Sequence, residues 1–151
     1  MTKKLCIISG STLGNAEEVA EALYEILENE DIELDIFHGP NLNEVKDYSH
    51  WLIVTSTYGA GEIPDNLLPL FQDIIDKNLD LSKLKFGVVG LGDSNYDTYC
   101  HAVDKATQIL KDHFATELAS PIKIDVTTTM DPESVAEEWL PSFLSNYLQS
   151  N

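Results

Sequence analysis

The sequence contains no arginine, and its nine basic residues are all lysines. Set against 26 acidic residues, they leave a formal net charge of −17 at pH 7. Nucleic acids and anionic membranes are bound through clustered positive charge, so this composition argues against both as partners. Two explanations of the acidity stay open, a basic protein partner or solubility alone.

Cysteine is also scarce, because Cys6 and Cys100 are too few for a disulfide framework and lack the spacing of metal ligands. We therefore expect two buried, reduced thiols. The four histidines are scattered, and no metal site is expected. No apolar run approaches the ~20 residues that span a bilayer, and the amino terminus turns polar too early for a secretory signal. We expect a cytoplasmic protein.

Apolar runs of strand length recur along the chain. Residues 4–9, 50–57 and 84–92 are almost uniformly apolar, which is typical of parallel strands buried on both faces. The stretch 32–37 alternates apolar and polar residues, so we expect it at a sheet edge. A fifth strand is expected at 120–126.

Segments of helical periodicity separate these runs. One follows Gly14, and the others cover 67–77, 100–114 and 131–148. Within the last one, Pro141 is expected to kink or interrupt the helix. Strands that alternate with helices predict an α/β fold, with a five-stranded, doubly wound parallel sheet in a single domain over 1–151.

Three loops leave the carboxyl ends of predicted strands one, three and four. They cover 9–16, 55–66 and 91–100, and all are rich in Gly, Ser, Thr and Asn. Ligands of open α/β sheets bind at this edge, where the strand order reverses. We therefore expect the functional site there.

The first of these loops has two interpretations from its residues alone. The start of a helix offers unpaired backbone N–H groups at the positive end of its dipole, and Ser11, Thr12 and Asn15 add side-chain donors. This combination suits a phosphate, but a plain capped turn has the same composition. The loop is neither a Walker A nor a Gly-x-Gly-x-x-Gly motif. It also carries Thr12 where a nucleophile elbow needs serine.

Together the three loops resemble those that bind flavin mononucleotide (FMN) in the flavodoxin family. They read GSTLGNAE at 10–17, STYGAGEIPDN at 56–66 and GLGDSNYDTYC at 90–100. The resemblance covers essentially the whole chain and is closest to the short-chain MioC type, which is also similar to the FMN domains of diflavin reductases. It implies a three-layer flavodoxin-like sandwich with strand order 2-1-3-4-5 and FMN as the cofactor.

The resemblance implies a role for each loop. The FMN phosphate is held by Ser11, Thr12, Leu13, Gly14, Asn15 and Ala16. One side of the isoalloxazine ring is passed by Ser56, Thr57, Tyr58 and Gly59. The other side is passed by Leu91, Gly92, Asp93, Asn95, Tyr96, Tyr99 and Cys100. Tyr58 and Tyr96 sandwich the ring, since aromatic faces stack on flat heteroaromatic groups.

The implied function is electron transfer, not catalysis on a substrate of the protein's own, because the flavin carries the redox chemistry. The implied donor is an NADPH-dependent flavodoxin reductase. The acceptor is a redox enzyme with a basic docking face, and an iron–sulfur radical enzyme such as biotin synthase is one candidate. Any reduction of quinones would be incidental.

Other functions are compatible with the same fold. A receiver-type signalling domain needs an acidic pair after strand one, an aspartate ending strand three and a lysine after strand five. The chain instead has Ser9-Gly10, Thr55-Ser56 and Asp125-Val126. A flavin-free interaction or regulatory module stays open, because Leu13 and Ala16 stand where the commoner flavodoxin pattern has hydroxyls.

Overall fold

The structure is a computed structural model that describes residues 3–11, 15–57, 61–95 and 100–151. Six strands in these ranges form one parallel sheet. They are β1 Leu5–Gly10, β2 Leu34–His38, β3 His50–Ser56, β4 Lys85–Gly92, β5 Thr116–Glu117 and β6 Ile122–Asp125. The strand order is β2-β1-β3-β4-β5, with β6 also paired to β4. The predicted order 2-1-3-4-5 is confirmed, and β2 lies at the edge as its alternating sequence predicts.

The fifth position of the sheet differs from the prediction of one strand over 120–126. Two short strands share it. β5 pairs with the start of β4 at Lys85 and Phe86, and β6 pairs with its end at Val89–Gly92. Pro121 directly precedes β6 and has no amide hydrogen to give to a ladder, which explains why the pairing does not run through.

Five helices lie in the described ranges. They are α1 Asn15–Leu27, α2 Leu42–Val45, α3 Leu68–Asp76, α4 His101–Asp112 and α5 Pro132–Gln149. The four longer ones match the predicted helical segments. The single turn α2 was not predicted, and it is closed by a capping box in which the Asn41 side chain accepts from the Glu44 amide and the Glu44 side chain accepts from the Asn41 amide.

Pro141 does not interrupt α5, which continues from Pro132 to Gln149. The proline side chain is exposed, while Leu140 and Phe143 on either side are buried. On the exposed face of a helix, water can satisfy a carbonyl that lost its helical partner. Packing of the opposite face therefore keeps the helix intact through the proline.

The helices form two layers around the sheet, because alternate residues of the buried strands face opposite sides. Leu52 and Val54 of β3 belong to the core beneath α1 and α5, whereas Trp51 and Ile53 belong to the core beneath α2, α3 and α4. Among the described residues, no helix has the length and apolar character needed to cross a membrane.

Candidate functional site

Three loops of the predicted site begin side by side. Gly10 at the end of β1 is paired with Thr55, and Ser56 at the end of β3 is paired with Leu91 of β4. Neighbouring strands lie about 4.8 Å apart, so the first residues of the three loops are close neighbours. The sheet register thus brings together loops that are separated by 35 to 80 positions in the sequence.

A cavity of about 210 Å³ opens between these loops. It is lined by Ser11, Asn15, Ser56, Thr57, Leu91, Gly92, Asp93 and Val126. All of these except Val126 are residues that the sequence predicts for the site. Val126 follows β6, and its amide donates to the Gly92 carbonyl at 2.9 Å. Nothing in the local sequence marks Val126, since only pairing of β6 with β4 brings it to the cavity.

The remaining predicted site residues divide into two groups. Thr12, Leu13, Gly14, Tyr58, Gly59, Tyr96 and Tyr99 lie outside the described residues. Ala16 is fully buried in the core beneath α1, so its side chain faces the sheet. Asn95 donates its amide to Asp93 Oδ1 at 2.8 Å. Cys100 is fully buried with a left-handed backbone (φ 52°) at the start of α4. Both cysteines are buried thiols, as predicted.

Ser56 supplies an unusual group to the cavity wall. Its Oγ is buried and has no hydrogen-bond partner among the described residues. A buried hydroxyl that makes no hydrogen bond costs about 1–3 kcal/mol of desolvation. Because Ser56 also lines the cavity, this hydroxyl is placed where a bound molecule could hydrogen-bond to it.

The base of the first loop is fixed by a chain of polar contacts. The Oγ of buried Ser9 hydrogen-bonds Nδ1 of His38, and His38 Nε2 lies 3.2 Å from Glu21 Oε1. These residues come from β1, β2 and α1. The chain therefore enters the loop from a strand end tied to both neighbouring elements.

The third loop is anchored by Asp125, the last residue of β6. Its Oδ1 accepts from the Ser94 amide at 3.3 Å, from the Thr127 amide at 3.0 Å and from Thr127 Oγ1 at 2.7 Å. The hydrogen bonds from Ser94 and Thr127 lower the pKa of Asp125 to about 2. The carboxylate thus stays charged at neutral pH and ties Ser94 to the end of β6.

The second and third loops carry described carboxylates at Glu62, Asp65 and Asp93, and their surroundings differ. Glu62 forms an ion pair with Lys105 at 3.1 Å, which offsets part of its charge. Asp65 is exposed, and Asp93 lines the cavity. Among the described residues, no three His, Cys, Asp or Glu side chains come together as a metal-ligand set.

Comparison with known proteins adds independent findings. A family model described as Flavodoxin matches residues 7–139. A relative from Pasteurella multocida named Protein MioC homolog is 52% identical over 145 residues, which cover 96% of this chain and 99% of the relative. The family match includes all three loops and most of the sheet and helices.

Solved structures show the same architecture. A mutant of the flavodoxin from Pseudomonas aeruginosa has a TM-score of 0.89 at 35% identity and covers 95% of this chain and 98% of that chain. A mutant flavodoxin from Fusobacterium nucleatum bound to flavin mononucleotide has a TM-score of 0.81 at 13% identity, over 96% of this chain and 97% of that chain. At this lower identity the likeness concerns the fold.

Proposed function

Since the chain belongs to the flavodoxin family, we propose that it binds FMN between its three loops and carries single electrons from one protein to another. The observation that carries the proposal is the buried, unpartnered Ser56 Oγ in a cavity lined by residues of all three loops. The donor chemistry fits the cofactor, because backbone amides and hydroxyls suit its phosphate and hydroxyl groups.

The described residues account for part of the binding surface. Their cavity of about 210 Å³ is smaller than the ~300–1,000 Å³ of complete small-molecule sites. Tyr58 and Tyr96, proposed to stack on the ring, lie outside the described residues. Ser11 and Asn15 at the start of α1 would hold the phosphate end of the cofactor, together with Thr12 to Gly14.

Within such a site the chain's own residues bind and orient. The flavin supplies the redox chemistry when bound. Thr57 Oγ1 accepts from the Ala102 amide at 3.4 Å, which holds the second loop against the start of α4. The Asp125 contacts hold the third loop. Leu91, only 2% exposed, contributes an apolar side chain to the cavity wall.

Because the flavin itself carries the redox chemistry, we propose an electron carrier with separate partner proteins. An NADPH-dependent flavodoxin reductase is the proposed donor. The proposed acceptor is a redox enzyme with a basic docking face, such as an iron–sulfur radical enzyme of the biotin synthase type. The net charge of −17 supports a basic partner, because opposite charges speed the encounter and make it salt-sensitive.

The test is a visible absorption spectrum of the purified protein, recorded with and without added FMN, followed by stepwise anaerobic reduction. A perturbed flavin spectrum and two separate one-electron reduction steps are expected. Failure to bind FMN at excess cofactor would overturn the proposal and favour a flavin-free interaction module. Binding with only a single two-electron step would retain the cofactor and reject the one-electron role.

A further inference from the structure

A second cavity lies at the amino-terminal ends of β3 and β4, whereas the proposed flavin site lies at their carboxyl-terminal ends. Its volume is about 360 Å³. Trp51, next to the start of β3, and Leu84, just before β4, form part of its wall. β3 has seven residues, so this wall is about 20 Å from the loops at the other end of the strand. The two cavities are therefore separate sites.

The wall of this second cavity is largely apolar. Besides Trp51 and Leu84 it includes Leu42 of α2 and the residues Leu79 and Leu81 that follow α3. Trp51 is held in place because its Nε1 donates to the Val45 carbonyl at 3.1 Å. The volume falls within the ~300–1,000 Å³ typical of small-molecule sites. An apolar body of moderate size would gain by leaving water here.

The lysines of the chain divide into three sets according to their partners. Lys4, Lys105, Lys111 and Lys123 form ion pairs with carboxylates. Lys3 and Lys85 donate to backbone carbonyls near the carboxyl terminus. The ammonium groups of Lys46, Lys77 and Lys83 have no ion pair and no hydrogen bond within the described part of the chain, and all three line the second cavity.

This clustering is unexpected in a chain with 26 acidic residues. Asp80 is the one acidic residue among the described residues of the cavity wall, and its Oδ1 accepts from the Ser82 amide at 2.9 Å. Hydrogen bonds from Ser82 lower the pKa of Asp80, and the charge of Lys83 lowers it to a smaller extent. Three lysines and one aspartate give the described lining of the cavity a formal charge of +2, whereas the whole chain carries −17.

We propose that this cavity binds a small amphipathic anion, with its apolar body against Trp51 and the leucines and its carboxylate or sulfonate between the lysines. Lysine ammonium groups supply mobile positive charges to such a headgroup, and their alkyl stems extend the apolar wall. A neutral or cationic ligand of the same shape would leave the three lysines without a partner. The proposal does not depend on FMN binding.

The probe is octanoate, titrated below its micelle concentration into the purified full chain and followed by two-dimensional ¹H–¹⁵N NMR. The indole N–H of Trp51 should shift and saturate. The indole N–H of Trp139 is an internal control, because it donates to the Ser120 carbonyl at 3.0 Å and does not line the cavity. Octanol and octylammonium are the ligand controls and should bind at least tenfold more weakly.

Two triple variants distinguish the effect of the cavity lysines on octanoate binding from the effect of the total charge of the protein. Lys46→Gln/Lys77→Gln/Lys83→Gln should weaken octanoate binding at least tenfold, about 1.4 kcal/mol. Lys105→Gln/Lys111→Gln/Lys123→Gln makes the same change in net charge elsewhere and should have less than a twofold effect. Single substitutions at the three cavity lysines should each cause a partial loss, which keeps the test valid should the triple variant misfold. An unmoved Trp51 signal, equal binding of octanol, or equal losses in both triple variants would overturn the proposal.

Discussion

Leu67 packs so closely against Gly10 that a Cβ atom on Gly10 would lie 2.2 Å from Cγ of Leu67. Gly10 is the last residue of β1, and the next residue, Ser11, lines the proposed flavin cavity. Leu67 is fully buried just before α3. The first loop therefore leaves the sheet at a point where the packing beneath it admits no side chain.

Gly10→Ala should destabilise the protein by about 1–3 kcal/mol, because the added methyl group overpacks the contact with Leu67. It should also weaken FMN binding, since relief of the clash displaces the start of the first loop. Urea unfolding and fluorescence titration with FMN measure the two effects. The double variant Gly10→Ala/Leu67→Ala should recover part of the affinity. An unchanged free energy of unfolding in Gly10→Ala would show that Leu67 can move away from the added methyl group without destabilising the protein.

Ser56→Ala tests whether bound FMN forms a hydrogen bond with the buried hydroxyl of Ser56. Loss of one hydrogen bond of about 0.5–1.5 kcal/mol should weaken FMN binding roughly twofold to tenfold. The flavin-free protein should not lose stability, because its Ser56 Oγ has no partner among the described residues.

Thr107→Val is the matched control for Ser56→Ala. Thr107 Oγ1 is also buried without a hydrogen-bond partner in the described ranges, but it lies in α4 and does not line the cavity. Its substitution should leave FMN binding unchanged. A Ser56→Ala variant that binds FMN like the parent would remove the main support for the proposed site.

Asp125→Ala should speed FMN dissociation although Asp125 does not line the cavity, because the third loop loses its anchor through the Ser94 amide. Stopped-flow release of FMN measures this. Asp125→Asn keeps an acceptor and should have a smaller effect, and Asp112→Ala, which removes an exposed carboxylate at the end of α4, is the charge control. Equal rates for Asp125→Ala and Asp112→Ala would contradict the anchoring role.

The pKa of Asp125 sets the pH range of this anchor. Its folded value of about 2 lies below the ordinary 3.8, so the folded state favours the charged form. The contribution to stability is therefore complete above about pH 4 and is lost as the pH falls through 2. Near neutral pH Asp125 stays ionised. A change of pH in this range should therefore not alter the rate of FMN release through Asp125.

The sequence predicts the fold well where a single pattern decides the structure. Buried strands are nearly uniform apolar runs, and β2 shows its edge position by alternation. The sequence does not predict the split of the fifth strand, which depends on how 116–117 and 122–125 divide the length of β4 between them. It also does not predict that α5 continues through Pro141, because the packing of Leu140 and Phe143 outweighs the local effect of proline.

For the site, the three loops can be predicted because strand ends and loop composition are local features. Val126 and the anchoring contacts of Asp125 cannot, since they require the register of β6 on β4. The sequence also does not predict that Ser56 Oγ is buried without a hydrogen-bond partner among the described residues, because Ser56 is one of several hydroxyl residues in these loops. The second cavity has no sequence motif, because Lys46, Lys77 and Lys83 come together only in the folded chain.

His50 should make stability depend on pH. It is fully buried between Ser49 Oγ, 2.7 Å from its Nδ1, and Ser150 Oγ, 2.8 Å from its Nε2. Burial, followed by the charges of Lys85 and Lys3, lowers the pKa of His50 from 6.5 to about 4. Between these values the unfolded chain binds a proton that the folded chain does not, so His50 makes the free energy of unfolding fall as the pH decreases from 6.5 to 4.

The size of this effect is about 3 kcal/mol, since the pKa falls by roughly 2.5 units and one unit corresponds to about 1.4 kcal/mol. Many carboxylates also begin to titrate in the lower part of this range, so the variant must be compared with the parent. His50→Gln keeps a hydrogen-bonding side chain but cannot titrate. Urea unfolding at intervals from pH 7 to pH 4 should show that the difference in stability between parent and variant shifts in favour of His50→Gln as the pH falls. A difference that stays constant over this range would mean that His50 is not held neutral by its surroundings.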